Sequence, residues 1–253
     1  MNHTAVSVTD VPAIDHDEAM ALAATEYDRF AALVESLSGD AWAAPTDCTE
    51  WTVRDMVLHV LGAAEASASS EENEHQQRAA REWAEANGRP FVDGLGAVQI
   101  AERSAIADAD IPARVRGVFP DALNGRTNIP AAARENVTMH VEVPGISETW
   151  KLGYLTDLIL TRDVWMHRVD ISRAAGHEME LSADHDGRLV ADIVAEWARR
   201  HGRPFTLELA GAAGGTFIHG DGGEEIAVDA VEFCRIVSGR APGAGLLTQE
   251  VAF

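Results

Sequence analysis

The stretch "TRDVWMHRVDI", Thr161 to Ile171, lies inside a segment whose apolar positions recur at helical spacing over residues 155–174, and Gly176 follows as a stop signal. Residues on a helix project at intervals of about 100°, so Asp163 and His167, four residues apart, point within about 40° of each other. The stretch therefore predicts a helix with a carboxylate and an imidazole on one face, where they can bind one ion together.

This pair alone leaves two interpretations open. An aspartate and a histidine four residues apart more often form a hydrogen bond or an ion pair than a metal site. Asp170, three residues after His167, also has two: it is a surface partner of Arg168 or Arg173, or it accepts a hydrogen bond that fixes the tautomer of His167. A further ligand from another helix would favour the metal site.

The stretch "TVRDMVLHVLGAAEA" predicts a second helix that begins just after Thr52, a good N-cap residue, with Asp55 at the capping-box position. His59 lies at the edge of the apolar arc of this helix, so we expect it at the rim of a helix bundle. Together with Asp163 and His167 it would supply two imidazoles and a carboxylate from two helices. Catalytic zinc and related divalent ions use such three-ligand sets and keep a further coordination position open.

The rest of the first two hundred residues is predicted to be mainly helical. Further helices are expected at residues 15–37, at 67–87 (polar, Glu-rich and exposed), at 95–108 with a continuation over 112–118 that ends at "FPDALNGRTNIP", and at 183–200. The alternating stretch "NVTMHVEV" predicts a strand before a turn at Pro144 and Gly145, so that either a short hairpin or an extended loop fits there.

The residue pattern of the sequence changes after Arg203. The short alternating runs "PFTLELAG", "GTFIHG" and "EIAVD", separated by glycines, predict strands, "AVEFCRIVSGR" predicts a helix, and "LLTQEVAF" predicts a last strand. A unit of about 50 residues buries little surface by itself, so we expect it to pack against the helices. The predicted domains are a helical one at residues 1–202 and a small α/β one at 203–253.

Composition excludes several classes of partner. The 253 residues contain 41 acidic and 20 basic side chains, for a net charge of −21, which would repel nucleic acid and anionic membranes. No segment has the length and apolarity of a membrane span or a signal peptide, so we expect a cytoplasmic protein. Cys48 and Cys234 show no paired spacing, so a metal would have to be held by histidine and carboxylate.

Two segments carry a resemblance to a known family. "CTEWTVRDMVLHVLG" and "TRDVWMHRVDISRAAG" resemble the two signatures of the mycothiol-dependent maleylpyruvate isomerase family, and the likeness extends over most of the chain. The resemblance implies an α+β fold, a DinB-like four-helix bundle followed by a small α/β C-terminal domain. It also implies that His59, Asp163 and His167 bind a divalent ion, namely zinc, although the characterised isomerase type has glutamate at the position of Asp163.

The resemblance further implies a thiol-dependent enzyme. Its partners would be mycothiol, as the thiol cosubstrate whose thiolate the metal makes available, and a small electrophilic substrate such as maleylpyruvate. Asp163 is one methylene shorter than glutamate, which still permits ligation. Two alternatives to the isomerase stay open. One is a metal-dependent S-transferase for low-molecular-weight thiols, and the other is a non-catalytic bundle that binds a metal or a small molecule.

A dicarboxylate substrate would need cationic groups in this acidic protein. Arg240, in "SGRAPG", is the first candidate for binding it and Arg54 the second, although each is equally well explained as a surface or structural arginine. Cys48 is better explained as a small apolar residue than as a nucleophile.

Overall fold

The computed structural model of the chain describes residues 5–143 and 146–253. Contacts between its elements divide the chain into two units, one formed by Asp15–Glu178 and the other by the segment up to Ile14 together with Met179–Phe253. The predicted boundary at 202/203 differs from this division, which groups residues 179–202 and the N-terminal segment with the C-terminal strands. Within the described residues, no helix is both long and apolar enough to cross a bilayer.

The helices and strands follow the predicted order closely. The helices are α1 (His16–Ser36), α2 (Val53–Ala68), α3 (Ser70–Asn87), α4 (Phe91–Arg103), α5 (Ile111–Thr127), α6 (Ala131–Asn136), α7 (Leu160–Ala175), α8 (Arg188–His201) and α9 (Ala230–Val237). The strands are β1 (Val6–Ser7), β2 (Thr138–Val143), β3 (Ile146–Lys151), β4 (Phe205–Ala210), β5 (Gly215–His219) and β6 (Glu224–Asp229). These elements confirm the predicted α+β class.

The core of the larger unit is a four-helix bundle of α1, α2, α5 and α7. Each helix contributes fully buried apolar side chains to one cluster, including Phe30, Val57, Val115 and Ile171. Burial of this apolar stripe is the main source of stability for helices of this length. The predicted capping box of α2 is confirmed, because the Thr52 hydroxyl accepts from the Asp55 amide and the Asp55 carboxylate accepts from the Thr52 amide.

Helix α5 extends beyond the end that the sequence predicted for this part of the chain. The stretch "FPDALNGRTNIP" was expected to stop it, but α5 continues through Pro120 to Thr127. An interior proline costs a helix about 3 kcal/mol. Packing compensates here, since the Phe119 ring stacks on Tyr27 with centroids 4.2 Å apart. The buried Arg126 guanidinium also donates to the Thr156 carbonyl at 2.8 Å and to the Thr161 hydroxyl at 2.6 Å.

Helices α3 and α4 pack on each other and on α2. Most of α3 is exposed, as predicted, but it buries Gln76, Ala80 and Ala84 at intervals of four residues. The backbones of α3 and α4 lie so close together that a Cβ atom at Gly94 would collide with the Ala80 carbonyl oxygen. This hairpin therefore covers one side of α2, next to His59.

The segment before α7 contains a β-hairpin and a π-helical turn. Strands β2 and β3 pair antiparallel, which confirms the predicted strand, while the turn predicted at Pro144 and Gly145 lies outside the described residues. The predicted helix over 155–174 begins as a π-helical turn, Tyr154–Ile159, and continues as α7. It ends at Gly176, whose φ of 68° is easily adopted only by glycine.

The smaller unit is a sheet with two helices. The strand order is β1-β5-β4-β6, in which β5 is antiparallel to β4 and the other two pairs are parallel. Trp197 of α8 packs on Phe205 and Phe233, with ring centroids 4.8 and 5.4 Å apart, and this contact explains why α8 belongs to the sheet unit. The last strand predicted from "LLTQEVAF" is wrong: a 3₁₀ turn, Gly245–Thr248, precedes irregular chain.

Candidate metal centre

Helices α2 and α7 bring His59, Asp163 and His167 together. One carboxylate oxygen of Asp163 lies 3.5 Å from Nε2 of His59, and the other lies 3.3 Å from Nε2 of His167. One donor atom from each of the three side chains lies within 4.8 Å of the other two. Asp163 therefore stands between two imidazoles, as the spacing of α7 and the position of His59 on α2 led us to expect.

The centre is partly shielded from water. The side chain of His167 is 5% exposed, while those of His59 and Asp163 are 15% and 24% exposed and so remain accessible to a small ligand. Burial would raise the pKa of the Asp163 carboxyl, but the positive charges of His167 and His59 in their protonated forms, together with the hydrogen bonds that those forms donate, hold that pKa well below its ordinary value. Asp163 is therefore an anion that lies between the ring nitrogens of two imidazoles.

His167 has a buried carboxylate behind it. Oδ2 of Asp170 lies 3.3 Å from Nδ1 of His167, and the Asp170 side chain is completely buried. The two arginines considered as surface partners of Asp170 form other ion pairs, Arg168 with Glu26 and Arg173 with Asp47. This placement suits the role expected of Asp170, which is to orient the His167 ring.

Cys48 lies close to the same carboxylate. Its Sγ is 4.0 Å from Oδ2 of Asp170, and donor atoms of Cys48, His167 and Asp170 also lie within 4.8 Å of one another. Cys48 packs, half-buried, against the apolar core of the bundle. A second arrangement of possible ligands thus shares His167 with the first.

His59 has an amide behind it, which the sequence did not reveal. Oε1 of Gln99 lies 2.7 Å from Nδ1 of His59, and Nε2 of Gln99 donates to Oε1 of Gln76 at 2.9 Å. Both glutamines are buried. The one available signal was that Gln76 precedes Ala80 and Ala84 at a spacing of four residues, which marks a buried stripe on α3.

Trp51 borders both imidazoles. Its ring centroid is 5.0 Å from that of His59 and 6.0 Å from that of His167. Gly96 of α4 leaves room for it, because a Cβ atom there would lie 2.7 Å from Cζ2 of Trp51. The indole therefore forms an apolar wall for the centre.

The donor set fits a divalent ion of the zinc type. Two imidazole nitrogens and one carboxylate form the common three-ligand set of catalytic zinc sites, and each imidazole has a polar partner on its other nitrogen. Both features are expected of ligands that have to be held in a single orientation.

The two candidate substrate arginines belong to different units. Arg54, five residues before His59, lies about 140° around α2 from it. Arg54 donates to Asp108 at 2.7 Å and to the Ile106 carbonyl at 2.6 Å, so it ties α2 to the segment before α5. Arg240 belongs to the smaller unit, where it lines a cleft of about 440 Å³ after α9 together with Glu250.

Comparisons with known proteins agree with this architecture. Residues 23–172 match the family described as the mycothiol maleylpyruvate isomerase N-terminal domain, and they include both α2 and most of α7. Two uncharacterized proteins of Mycobacterium tuberculosis, from strains CDC 1551 and H37Rv, are each 29% identical over 184 residues, covering 72% of this chain and 82% of theirs.

A similar fold has been solved by crystallography. The mycothiol-dependent maleylpyruvate isomerase and a histidine-to-alanine variant of it both superpose with a TM-score of 0.56 at 14% identity, covering 93% of this chain and 92% of theirs. At that identity the likeness concerns the fold, whereas the family match spans more than half of the chain. This chain therefore belongs to the mycothiol maleylpyruvate isomerase family.

Proposed function

We propose that this protein is a metal-dependent and thiol-dependent enzyme in which His59, Asp163 and His167 bind one divalent ion, namely zinc. Its cosubstrate would be mycothiol, and its substrate a small electrophile such as maleylpyruvate. The observation that carries the proposal is the placement of three donor atoms from two helices within 4.8 Å of one another. The family match over residues 23–172 supports it, because that region contains all three ligands.

The bound ion would supply one kind of chemistry: it lowers the pKa of a thiol and makes a thiolate nucleophile available at neutral pH. The residues of the chain do the rest. Asp170 and Gln99 orient the two imidazoles, and Trp51 shields the apolar side of the centre from water. Cys48 is not needed as the nucleophile, since the cosubstrate brings its own thiol.

The substrate would be bound through its carboxylates. We propose Arg240 as the first residue for this role and Arg54 as the second, in an otherwise acidic chain. If Arg240 binds a substrate carboxylate, Arg240→Ala will raise KM for a dicarboxylate and leave the bound metal unchanged. Arg54→Ala will also lower thermal stability, because Arg54 holds the segment before α5. An unchanged KM in both variants would remove the two arginines from the proposal.

An S-transferase is the second candidate, and the observation that favours it is Asp163 itself. The carboxylate is one methylene shorter than the glutamate of the isomerase type, so an ion held by it would be displaced relative to the open coordination positions. The same metal and thiol would then serve a different electrophile. A non-catalytic bundle that binds metal or a small molecule is the third candidate.

Metal analysis of the purified protein tests the centre. We expect roughly one zinc ion per chain in the wild type, and much less in His59→Ala. His140→Ala is the matched control, because His140 lies on the β-hairpin with a side chain 60% exposed. If the wild type and His59→Ala carry equally little metal, the proposed centre is wrong.

Turnover assays then separate the three candidates. The zinc-loaded protein is incubated with mycothiol and either maleylpyruvate or a generic alkylating electrophile, and each reaction is repeated without thiol. Thiol-dependent isomerisation supports the isomerase, and conjugation without isomerisation supports the S-transferase. A zinc-loaded protein that catalyses neither reaction supports the non-catalytic bundle.

A further inference from the structure

We propose that Gln99, held by Gln76, is a positioning residue that keeps the proton of His59 on Nδ1, so that Nε2 faces Asp163 as a bare nitrogen donor. The inference deepens the proposed function and rests on it only for the identity of Nε2 as the metal-binding atom. It follows from a chain of buried hydrogen bonds whose direction can be read from its far end.

The chain of hydrogen bonds ends at a buried arginine that pairs with two glutamates. Arg103, with a side chain 7% exposed, donates from its guanidinium to Oε1 of Glu72 at 2.8 Å and to Oε2 of Glu65 at 2.7 Å. Partial burial raises the pKa of the Glu72 carboxyl, but hydrogen bonds from Gln76 and Arg103 outweigh it, and the pKa lies below its ordinary value. The ion pair with Arg103, which is always a charged donor, is enough by itself to keep Glu72 an anion that can only accept hydrogen bonds.

The Glu72 carboxylate sets the orientation of the Gln76 amide. One end of that amide lies 2.8 Å from Oε1 of Glu72 and 2.9 Å from the carbonyl oxygen of Gly62. Both neighbours only accept, so this end has to be the NH₂ group, and the flipped orientation would place an oxygen against two oxygens. The carbonyl end of Gln76 consequently points toward Gln99.

The orientation of the Gln76 amide fixes that of Gln99, and Gln99 in turn fixes the position of the proton on His59. Oε1 of Gln76 needs a donor, and the Gln99 NH₂ group lies 2.9 Å away. The other end of the Gln99 amide, 2.7 Å from Nδ1 of His59, is then the carbonyl oxygen, which can only accept. His59 must donate from Nδ1, and in the neutral imidazole this leaves Nε2 without a proton.

Burial keeps this direction unique. Gln76 and Gln99 are 1% and 4% exposed, so water does not offer either amide an alternative partner. Gly62 makes the space for the chain, because a Cβ atom there would lie 2.7 Å from Cβ and Cγ of Gln99. Without Gln99, the nearest charged acceptor for a proton on His59 would be Asp163, 3.5 Å from Nε2. The proton would then block the nitrogen that the metal needs.

Nitrogen-15 spectroscopy tests the inference without metal. The protein is labelled with ¹⁵N-histidine, stripped of metal, and its two His59 nitrogens are distinguished at alkaline pH, where an imidazole is neutral. We expect protonated Nδ1 and bare Nε2 in the wild type, and a shift of the proton toward Nε2 in Gln99→Leu. Gln99→Glu will keep the proton on Nδ1 of His59, because one carboxyl oxygen still accepts from it, although an ionised glutamate leaves Oε1 of Gln76 without its donor.

Zinc affinity provides the second readout. Loss of a hydrogen-bond partner behind a metal-binding histidine typically weakens metal binding about 10–100-fold, and we expect a loss in this range for Gln99→Leu. Gln99→Glu will not show this loss, because it keeps an acceptor behind His59. Gln77→Leu is the matched control, because Gln77 is the half-buried neighbour of Gln76 and its amide forms exposed hydrogen bonds with Asn73 and Arg81, one turn away on α3.

Two results would overturn the inference. One is a wild-type His59 that carries its proton on Nε2, and the other is a Gln99→Leu variant with unchanged ¹⁵N shifts and zinc affinity. If Gln99→Leu does not fold, the wild-type assignment and Gln99→Glu still decide the question. A wild type that binds no zinc would refute the proposed centre, while the metal-free spectra would still establish the tautomer.

Discussion

The two histidines of the candidate metal centre are held by different chemistry. His167 on α7 is backed by the buried carboxylate of Asp170, whereas His59 on α2 is backed by the neutral amide of Gln99. A backing carboxylate orients an imidazole and makes it a more basic ligand, while an amide orients it without adding charge.

The difference also reflects the positions of the two helices. The α7 side is the deeper one, since the His167 side chain is 5% exposed against 15% for His59. On the α7 side a buried carboxylate orients the imidazole, whereas on the α2 side a chain of hydrogen bonds that joins α2, α3 and α4 does so. Both imidazoles beside Asp163 are thus oriented by a hydrogen bond, but only His167 has a carboxylate behind it.

The largest effect is expected when the deeper ligand is removed. His167→Ala should weaken zinc binding by more than the roughly 100-fold that loss of a backing partner costs, because it removes one of the three proposed ligands altogether. Calorimetric titration of the metal-free protein with zinc measures this. His140→Ala serves as the control, and equal affinities in the two variants would contradict the placement of His167 in the centre.

A smaller but clear effect is expected for the carboxylate behind His167. Asp170→Asn keeps an oxygen acceptor of nearly the same shape and removes the charge, so zinc affinity should fall about 10–100-fold. The same titration measures it. If Asp170→Asn binds zinc as tightly as the wild type, the charge of Asp170 does not strengthen zinc binding by His167.

Gly62→Ala should disturb the amide side alone. Its Cβ atom would lie 2.7 Å from Gln99, so either α4 or the Gln99 side chain has to move. Overpacking typically costs about 1–3 kcal/mol, and the better helix propensity of alanine returns at most about 1 kcal/mol. We expect a lower free energy of unfolding by urea denaturation, and zinc affinity reduced a few-fold.

Gly117→Ala is the control for this substitution, because a Cβ atom at Gly117 meets nothing within 4 Å. This variant should be as stable as the wild type or more so. A Gly62→Ala protein that gained stability to the same extent would show that Gln99 is not tightly packed against α2.

The smallest effect is expected from an exposed ion pair on the same bundle. Arg116 donates to both carboxylate oxygens of Glu35 at 2.8 Å, and this hydrogen bonding holds the Glu35 pKa below its ordinary value of 4.5. Glu35→Gln removes one carboxylate, as Asp170→Asn does, but from the surface, where ion pairs contribute little. Zinc affinity should be unchanged.

The pH dependence of this pair has a definite sign. Because the folded-state pKa is lowered, the pair contributes stability above the unfolded-state pKa and loses that contribution as the pH falls through the folded-state value. The small difference in melting temperature between wild type and Glu35→Gln should therefore be present at neutral pH and vanish in acid. A difference that grew below pH 4.5 would contradict this assignment.

Local signals in the sequence were enough to predict the helices of the bundle and to single out three candidate ligands. The Thr52 cap sets the start of α2, and the four-residue spacing of Asp163 and His167 places both on one face of α7. These features depend on a few neighbouring residues, so they can be read without knowledge of the fold. Which helix faces His59 depends on long-range packing, and Gln99 could not be recognised for that reason.

The incorrect predictions have the same origin. Pro120 signals a helix end locally, but contacts of Phe119 and Arg126 with other helices keep α5 intact beyond it. The stretch "LLTQEVAF" alternates as a strand would, yet it joins no sheet in the described part of the chain. Gln76 lies in a Glu-rich helix that looks fully solvated, and only its spacing to Ala80 and Ala84 indicates a buried stripe.

The most direct test of the centre is a crystal structure of the zinc-loaded protein with anomalous diffraction measured at the zinc edge. We predict one zinc peak about 2.0–2.2 Å from Nε2 of His59, Nε2 of His167 and a carboxylate oxygen of Asp163. The Gln99 carbonyl should still contact Nδ1 of His59. A zinc ion bound by Cys48, His167 and Asp170 instead, or no zinc peak at all, would contradict the account.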